Sequence, residues 1–214
     1  MKKTLLTFSA VMVILFSSCS KNASGVSGIN FQLSTSATTA NAPGIAWTAG
    51  TAGVVYAKVE ASKSDNSQIE FKSVANTQTD LFAAVSISNV SIPAGTYHAI
   101  EFRTELQSMS GKPSLFLSGT FTAAAVTTPI SFEVGTTITI KSEKDSIVIN
   151  ASNGSYTALT TLVLATLTQN VTAADISAAT LTSGKIVISA TSNTVIFNKM
   201  LANLLIPQHC DFKY

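Results

Sequence analysis

The sequence has 214 residues, of which 13 are Lys or Arg and 11 are Asp or Glu. Lys2 and Lys3 lie in a segment that we expect to be removed, which leaves 11 residues of each sign and no net charge. No block of like charges remains, so we expect no nucleic acid partner and no binding to an anionic membrane surface through charge alone. Because only 11% of residues are charged, Ser and Thr must cover much of the surface, which suits strands.

The first eighteen residues have the organisation of a secretory signal peptide. Lys2 and Lys3 are followed by an apolar run over 5–16 and by the small residues Ser17 and Ser18. Twelve helical residues extend about 18 Å, whereas the hydrocarbon core of a bilayer is about 30 Å thick. The run is therefore too short to be an anchor, and we predict that residues 1–18 are removed.

Residues 15–19, LFSSC, resemble a bacterial lipobox, in which an invariant cysteine is acylated and becomes the first residue of the mature chain. Phe16 departs from the pattern, because an aliphatic residue is usual there. The resemblance implies that Cys19 is lipidated and attaches the protein to a membrane. The alternative is an ordinary secretory signal followed by an incidental cysteine.

The residues after Cys19 bear on the location of the protein. Ser20 and Lys21 lack the aspartate that resembles an inner-membrane retention signal, and 20–24 lack the acidic stretch of surface-exported Bacteroidota-type lipoproteins. We therefore expect an outer-membrane lipoprotein of the cell envelope, with a periplasm-facing position favoured over surface exposure. Residues 19–28 would be a lipidated cysteine and a flexible tether, followed by one domain over 29–214.

From Ile29 onward, short runs of β-branched and aromatic residues alternate with turn residues, which predicts an all-β antiparallel sandwich. Three hairpins are expected, at Ser64–Asn66, at Glu143–Asp145 and at Asn153-Gly154. The predicted strands are 29–33, 54–62, 67–73, 81–88, 96–106, 114–122, 130–134, 136–141, 146–151, 156–167 and 185–190.

The segment SIPAGTYHAIEFRTEL, residues 91–106, places a Pro-Ala-Gly turn before a strand. This P-x-G-x-Y pattern resembles the strand start of transthyretin-like and immunoglobulin-like sandwich domains, including uncharacterised Bacteroidota-type lipoprotein domains. The resemblance supports the fold and the location and implies no activity. Alternation along the strand predicts that His98 lies on the apolar face and that Tyr97 faces water with Glu101.

Two segments predict helices within the β domain. Thr172 and Asp175 resemble a capping box that opens a short helical turn over 172–179. Apolar residues then recur at helical spacing over 194–205, before Pro207, so one face of this C-terminal helix should pack on the sandwich. Cys210 follows it, and if Cys19 is lipidated, Cys210 is an unpaired thiol that we expect to be buried and inert.

The sequence contains no nucleophile elbow, zinc-protease motif or phosphate-binding loop, and its two histidines and one free cysteine do not make a structural zinc site. No catalytic residue, metal or cofactor is therefore predicted. We expect a non-catalytic binding or structural module with a glycan or an envelope protein as partner. One alternative is an envelope hydrolase whose site is assembled from distant residues.

A second alternative is a carbohydrate-binding module that uses exposed aromatic rings. Trp47 lies in the loop-like stretch NAPGIAWTAG, and Tyr56 and Tyr97 alternate onto the polar faces of their strands. These three residues are the candidate ligand-binding side chains, because aromatic rings can stack on sugar rings. The competing interpretation is that Trp47 fills the end of the sandwich.

Overall fold

The computed structural model describes residues 25–36 and 43–214, so Cys19 and the predicted signal peptide lie outside the described residues. Three α-helices accompany the described strands, α1 Leu164–Leu167, α2 Ala173–Ser177 and α3 Thr194–Leu204, together with a short 3-10 helix at Ala151–Asn153. The strands are β1 Val26–Thr35, β2 Ile45–Lys63, β3 Gln68–Asp80, β4 Ser86–Pro93, β5 Gly95–Leu106, β6 Leu115–Ala123, β7 Val126–Val134, β8 Ile138–Ile149, β9 Ser155–Leu162, β10 Leu181–Thr182, β11 Lys185–Ser189 and β12 His209–Lys213.

The strands form two sheets that enclose one hydrophobic core, so the all-β sandwich prediction is confirmed. The first sheet has the order β12-β9-β1-β4. The second sheet has eight strands, in the order β10-β11-β7-β6-β2-β5-β8 with β3 on the other side of β2. Most inward side chains of the two sheets are buried because most strands alternate apolar and polar residues.

The long strand β2 organises the second sheet. Its first part, Ile45–Ala52, pairs with β6, and its later part, from Val54, pairs with β5. Along most of its length the opposite edge pairs with β3. The expectation that residues 41–50 form a loop is therefore wrong for Ile45–Gly50, which belong to this strand.

Several predicted boundaries are corrected by the structure. β1 begins at Val26, so residues 26–28 are not tether, and the Ser27 hydroxyl donates to the Asn150 carbonyl at 3.0 Å. Glu143–Asp145 lie inside β8 rather than in a hairpin. The hairpin predicted at Asn153-Gly154 is also wrong: the chain turns there, but it joins β8 and β9, which lie in different sheets and do not pair.

The predicted helices are present. The Thr172 side chain accepts from the Asp175 backbone and the Asp175 carboxylate accepts from the Thr172 backbone, so the capping box is confirmed. α3 buries Ile196, Phe197 and Met200, and the Phe197 ring lies 5.8 Å from that of Phe132 in β7.

Replacing Met200 with alanine should lower the free energy of unfolding by about 2 to 5 kcal/mol, because its side chain has no exposed surface and its truncation leaves a cavity. Val195 on the same helix is 70% exposed, so Val195→Ala should stay within about 0.5 kcal/mol of wild type. Urea unfolding of both variants measures the difference. Equal effects would place this helix face outside the core.

Candidate binding face

The three aromatic residues predicted to bind a ligand do not come together on the surface. Trp47 and Tyr97 are each 1% exposed, so the expectation that their rings face solvent is wrong. The Trp47 Nε1 has no hydrogen-bond partner among the described residues. The Tyr97 hydroxyl donates to the Pro93 carbonyl at 2.7 Å, which closes the Pro-Ala-Gly turn from inside the domain.

Tyr97 is buried because β5 does not alternate regularly. Ala99 has a φ of +48° and takes no part in the ladders of β5 with β2 and β8. This irregularity inserts one residue relative to β2 and shifts the side-chain alternation. Tyr97 therefore turns inward and His98 outward, the reverse of the expected orientation.

Tyr56 is the one candidate that reaches the surface, and it is half-buried. The Lys72 Nζ lies 3.6 Å from the centre of its ring, so a cation already covers one side of it. Its hydroxyl interacts with the Glu105 carboxylate. Burial is the main cause that raises the pKa of the phenol, and the interaction with Glu105 raises it further. Tyr56 therefore belongs to a cluster of charged groups rather than to an aromatic platform.

This cluster, which we call the charged face, occupies the outer side of β3, β2, β5 and β8. Lys58 Nζ lies 2.5 Å from a Glu60 oxygen and 3.2 Å from a Glu70 oxygen. Arg103 bonds Glu60 at 2.8 Å and also pairs with Glu101. The network holds four cations and four carboxylates: Lys58, Lys72, Arg103, Lys141, Glu60, Glu70, Glu101 and Glu105.

The ion pairs shift the ionisation of their members. The hydrogen bond with Lys58 lowers the pKa of Glu60, and the same bond raises the pKa of Lys58. The hydrogen bond with Glu101 raises the pKa of Arg103. The ion pairs therefore favour the charged forms of Lys58, Glu60 and Arg103, which lie at the centre of the face.

Replacing Glu60 with glutamine should cost about 0.5 to 1 kcal/mol of stability at pH 7 and much less at pH 3. The folded pKa of Glu60 is below its ordinary value of 4.5, so the pair stabilises the fold above that pH and is lost as the pH falls through the folded pKa.

Urea unfolding at both pH values tests this, with Asp145→Asn as the control. Asp145 is exposed and makes no ion pair among the described residues. A cost for Glu60→Gln that did not change with pH would show that the ion pair contributes nothing.

The first sheet differs from the charged face in composition. β1, β4 and β9 contain no charged residue, and their outward positions hold mostly Asn, Gln, Ser and Thr side chains, together with Gly28, Leu159 and the exposed Val26. Charge in this sheet is confined to β12, where Asp211 and Lys213 are exposed. The two outer faces of the sandwich therefore offer very different surfaces to a partner.

The described residues hold no candidate metal site and one buried, unpaired thiol. Residues 25–36 and 43–214 contain no group of three His, Cys, Asp or Glu side chains that could hold a metal ion. Cys210 is buried as predicted, and burial raises the pKa of its thiol to about 11. It is therefore protonated and a poor nucleophile at neutral pH.

Sequence reasoning identified the charges of β5 but missed their partners on β2 and β3. The spacing Lys58-x-Glu60, Glu70-x-Lys72 and Glu101-x-Arg103 was the available pattern, because residues two apart on a strand share a face. The pairing that brings Glu60 beside Glu70 and Glu101 follows from the sheet register.

No protein-family model, curated protein or solved structure matches the chain. Within the residues that the structure describes, no helix is long and apolar enough to cross a bilayer.

Proposed function

We propose that the protein is a lipid-anchored module of the bacterial cell envelope that binds another envelope component through the charged face and carries out no catalysis. The observation that carries this proposal is the segregation of charge between the two outer faces. One face holds a connected network of eight charged side chains, and three strands of the other sheet have none.

The anchor in this proposal is Cys19, and the domain begins close to it. β1 starts at Val26, seven residues after Cys19, and seven residues reach at most about 25 Å. β1 belongs to the first sheet, so the chain from the lipid joins the uncharged side of the sandwich. This favours an arrangement with the first sheet toward the membrane and the charged face directed away from it.

The chemistry of the charged face favours a polar polypeptide surface as the partner. Its charges alternate in sign and balance, so it would attract a surface with the complementary alternation rather than a polyanion. A glycan partner receives less support, because stacking on sugar rings needs exposed aromatic faces, while Trp47 and Tyr97 are buried and Lys72 covers Tyr56.

A photo-crosslinking amino acid at Thr139 or at Thr157 tests this binding face in intact cells. Both threonines are half-buried and point outward, Thr139 from β8 beside the charged face and Thr157 from β9 on the outer face of the first sheet, next to Lys213. We expect a crosslinked envelope component at position 139, lost on Arg103→Glu, and none at 157. The same product at both positions, or a product at 157 alone, would reject the charged face as the binding surface.

Replacing Cys19 with alanine should release the protein from the membrane fraction or leave it with an uncleaved signal peptide. Lipid chains contribute about 0.8 kcal/mol for each buried CH₂, so two or more chains make attachment effectively stable. Fractionation of cells with immunoblotting measures the outcome. Cys210→Ala is the matched control and should remain in the membrane fraction, and a Cys19→Ala protein that also remains there at mature size would refute the anchor.

A further inference from the structure

The strand β3 has one edge that pairs with no other strand among the described residues. Eleven of its 13 residues pair with β2 on one side, and β4 contacts it from the first sheet without forming a ladder. Long unprotected edges invite pairing with another strand, and natural proteins usually shorten or block them. β3 contains no proline, so its outer edge is open to an added strand.

The direction of the backbone groups along β3 follows from the preceding hairpin. The Lys63 N–H donates to the Ser67 carbonyl at 2.9 Å, and the Lys63 carbonyl accepts from Asn66. Because antiparallel pairs alternate between hydrogen-bonded and non-hydrogen-bonded, Gln68 next to Ser67 points its backbone groups away from β2. The free edge therefore presents the N–H and C=O groups of every second residue: Gln68, Glu70, Lys72 and Val74.

The regular part of this edge is short and has a defined centre. It begins at Gln68, after the hairpin, and ends at Val74, because Ala75 and Asn76 together oppose only Val55 in a bulge. Asn76 has a φ of +44°, which turns the strand away from a straight ladder. The straight segment is thus 68–74, and its central residue is Phe71.

The charges on this segment are self-complementary in one register. If a second copy of β3 pairs antiparallel about Phe71, Glu70 of each copy lies opposite Lys72 of the other. Shifting the register by two residues in either direction places Glu70 opposite Glu70 or Lys72 opposite Lys72, which is unfavourable. The same register pairs outward-pointing backbone groups with each other and uses all seven straight residues.

The inward side of β3 also lacks full cover. Ile69, Phe71 and Ala75 pack against the core but are only partly buried, whereas the inward apolar residues of β2 beside them, Val59 and Ala61, are at most 1% exposed. A strand added beside β3 would bring a second Phe71 ring next to the first and cover this apolar margin.

We propose that the protein forms a two-fold symmetric dimer in which the β3 edges of two copies pair antiparallel about Phe71, so that the second sheets become one continuous sheet. The axis relating antiparallel neighbours is perpendicular to the sheet, so both charged faces lie on one side and both β1 strands on the other. Two lipid anchors can therefore enter the same membrane. The dimer does not depend on the lipid, because it rests on β3 alone.

Disulfide trapping in intact cells tests this register with the full chain. The register makes Phe71 and its symmetry mate a non-hydrogen-bonded pair, because their backbone groups point toward β2. The two Cα atoms of such a pair lie about 4.5 Å apart, within the range that a disulfide spans. Phe71→Cys should therefore give a disulfide-linked dimer on a non-reducing gel. Ser73→Cys, on the same inward side, should give none, because its symmetry mate lies four residues along the strand, about 13 Å away.

A second pair of positions keeps the test independent of the partly buried Phe71. Gln68 and Val74 are exposed on the outward side, and the register places Gln68 of one copy opposite Val74 of the other. The double variant Gln68→Cys/Val74→Cys should crosslink, and each single variant should not. The dimer would be overturned if the single variants crosslinked as much as the double variant. It would also be overturned if neither Phe71→Cys nor the double variant crosslinked, as expected if another peptide occupied the edge.

Charge exchange distinguishes pairing between copies from contacts within one copy. Glu70→Lys and Lys72→Glu should each reduce Phe71→Cys crosslinking at least several-fold, because each places like charges opposite one another. The combined Glu70→Lys/Lys72→Glu variant restores opposite charges between copies but not the Glu70 pair with Lys58. Recovery of crosslinking supports the register, and no recovery contradicts it.

Discussion

Replacing Trp47 with alanine is expected to lower the free energy of unfolding by about 3 to 5 kcal/mol. Trp47 is the largest of the fully buried side chains and lies on β2 where this strand pairs with β6. Small domains are stable by only about 5 to 15 kcal/mol, so this variant should lose a large part of its stability. Urea unfolding followed by circular dichroism measures the change.

Two companion variants sharpen this result. Trp47→Phe keeps most of the buried ring and removes an N–H group that has no partner within the described residues, so it should cost clearly less than alanine. Tyr56→Ala, at the half-buried surface position, should cost about 1 kcal/mol or less. If Trp47→Ala were as stable as wild type, the tryptophan would lie outside the core and a ligand-binding role would again be open.

Replacing Gly119 with alanine should destabilise the domain by about 3 kcal/mol or more, beyond ordinary overpacking. β6 passes so close to β2 that a Cβ at this position would overlap the Ala46 carbonyl oxygen and lie 2.8 Å from the Trp47 Cα. Both obstacles are backbone atoms, so relief requires separating two paired strands. The ladder is irregular here, between Trp47 and Ala49, which is where glycine is favoured in strands.

Gly135→Ala is the matched control, because a Cβ there meets nothing within 4 Å and its φ is not positive. It should remain within about 0.5 kcal/mol of wild type. Chemical denaturation of the two variants measures the difference in their free energies of unfolding. If Gly119→Ala matched Gly135→Ala, the two backbones could not approach as closely as the structure has them.

The fold was predictable where local patterns and tertiary structure agree. β5 and β6 begin and end within one residue of their predicted limits, and α2 and α3 follow from a capping box and from apolar spacing. The first part of β2 was missed because Pro43 and the glycines around Trp47 resemble a loop. Glycine is instead required there because the strands approach closely: Gly50 of β2 lies against the backbone of Phe116 in β6.

The candidate site was less predictable, because it depends on irregularities that sequence does not reveal. A single residue with positive φ, Ala99, reverses the faces of Tyr97 and His98, and alanine gives no warning of such a conformation. The network around Arg103 depends on the registers of β2 with β3 and of β2 with β5, which residue patterns do not reveal. Individual charges were visible in the sequence, but their contacts were not.

Mass spectrometry of the mature N-terminus tests the central claim, that this is a lipid-anchored envelope protein, most directly. The full chain would be extracted from membranes with detergent and digested, and its N-terminal peptide identified. We predict that this peptide begins at Cys19 and carries the mass of attached acyl chains. A mature chain that begins at another residue, or at a Cys19 without acyl chains, would contradict the account.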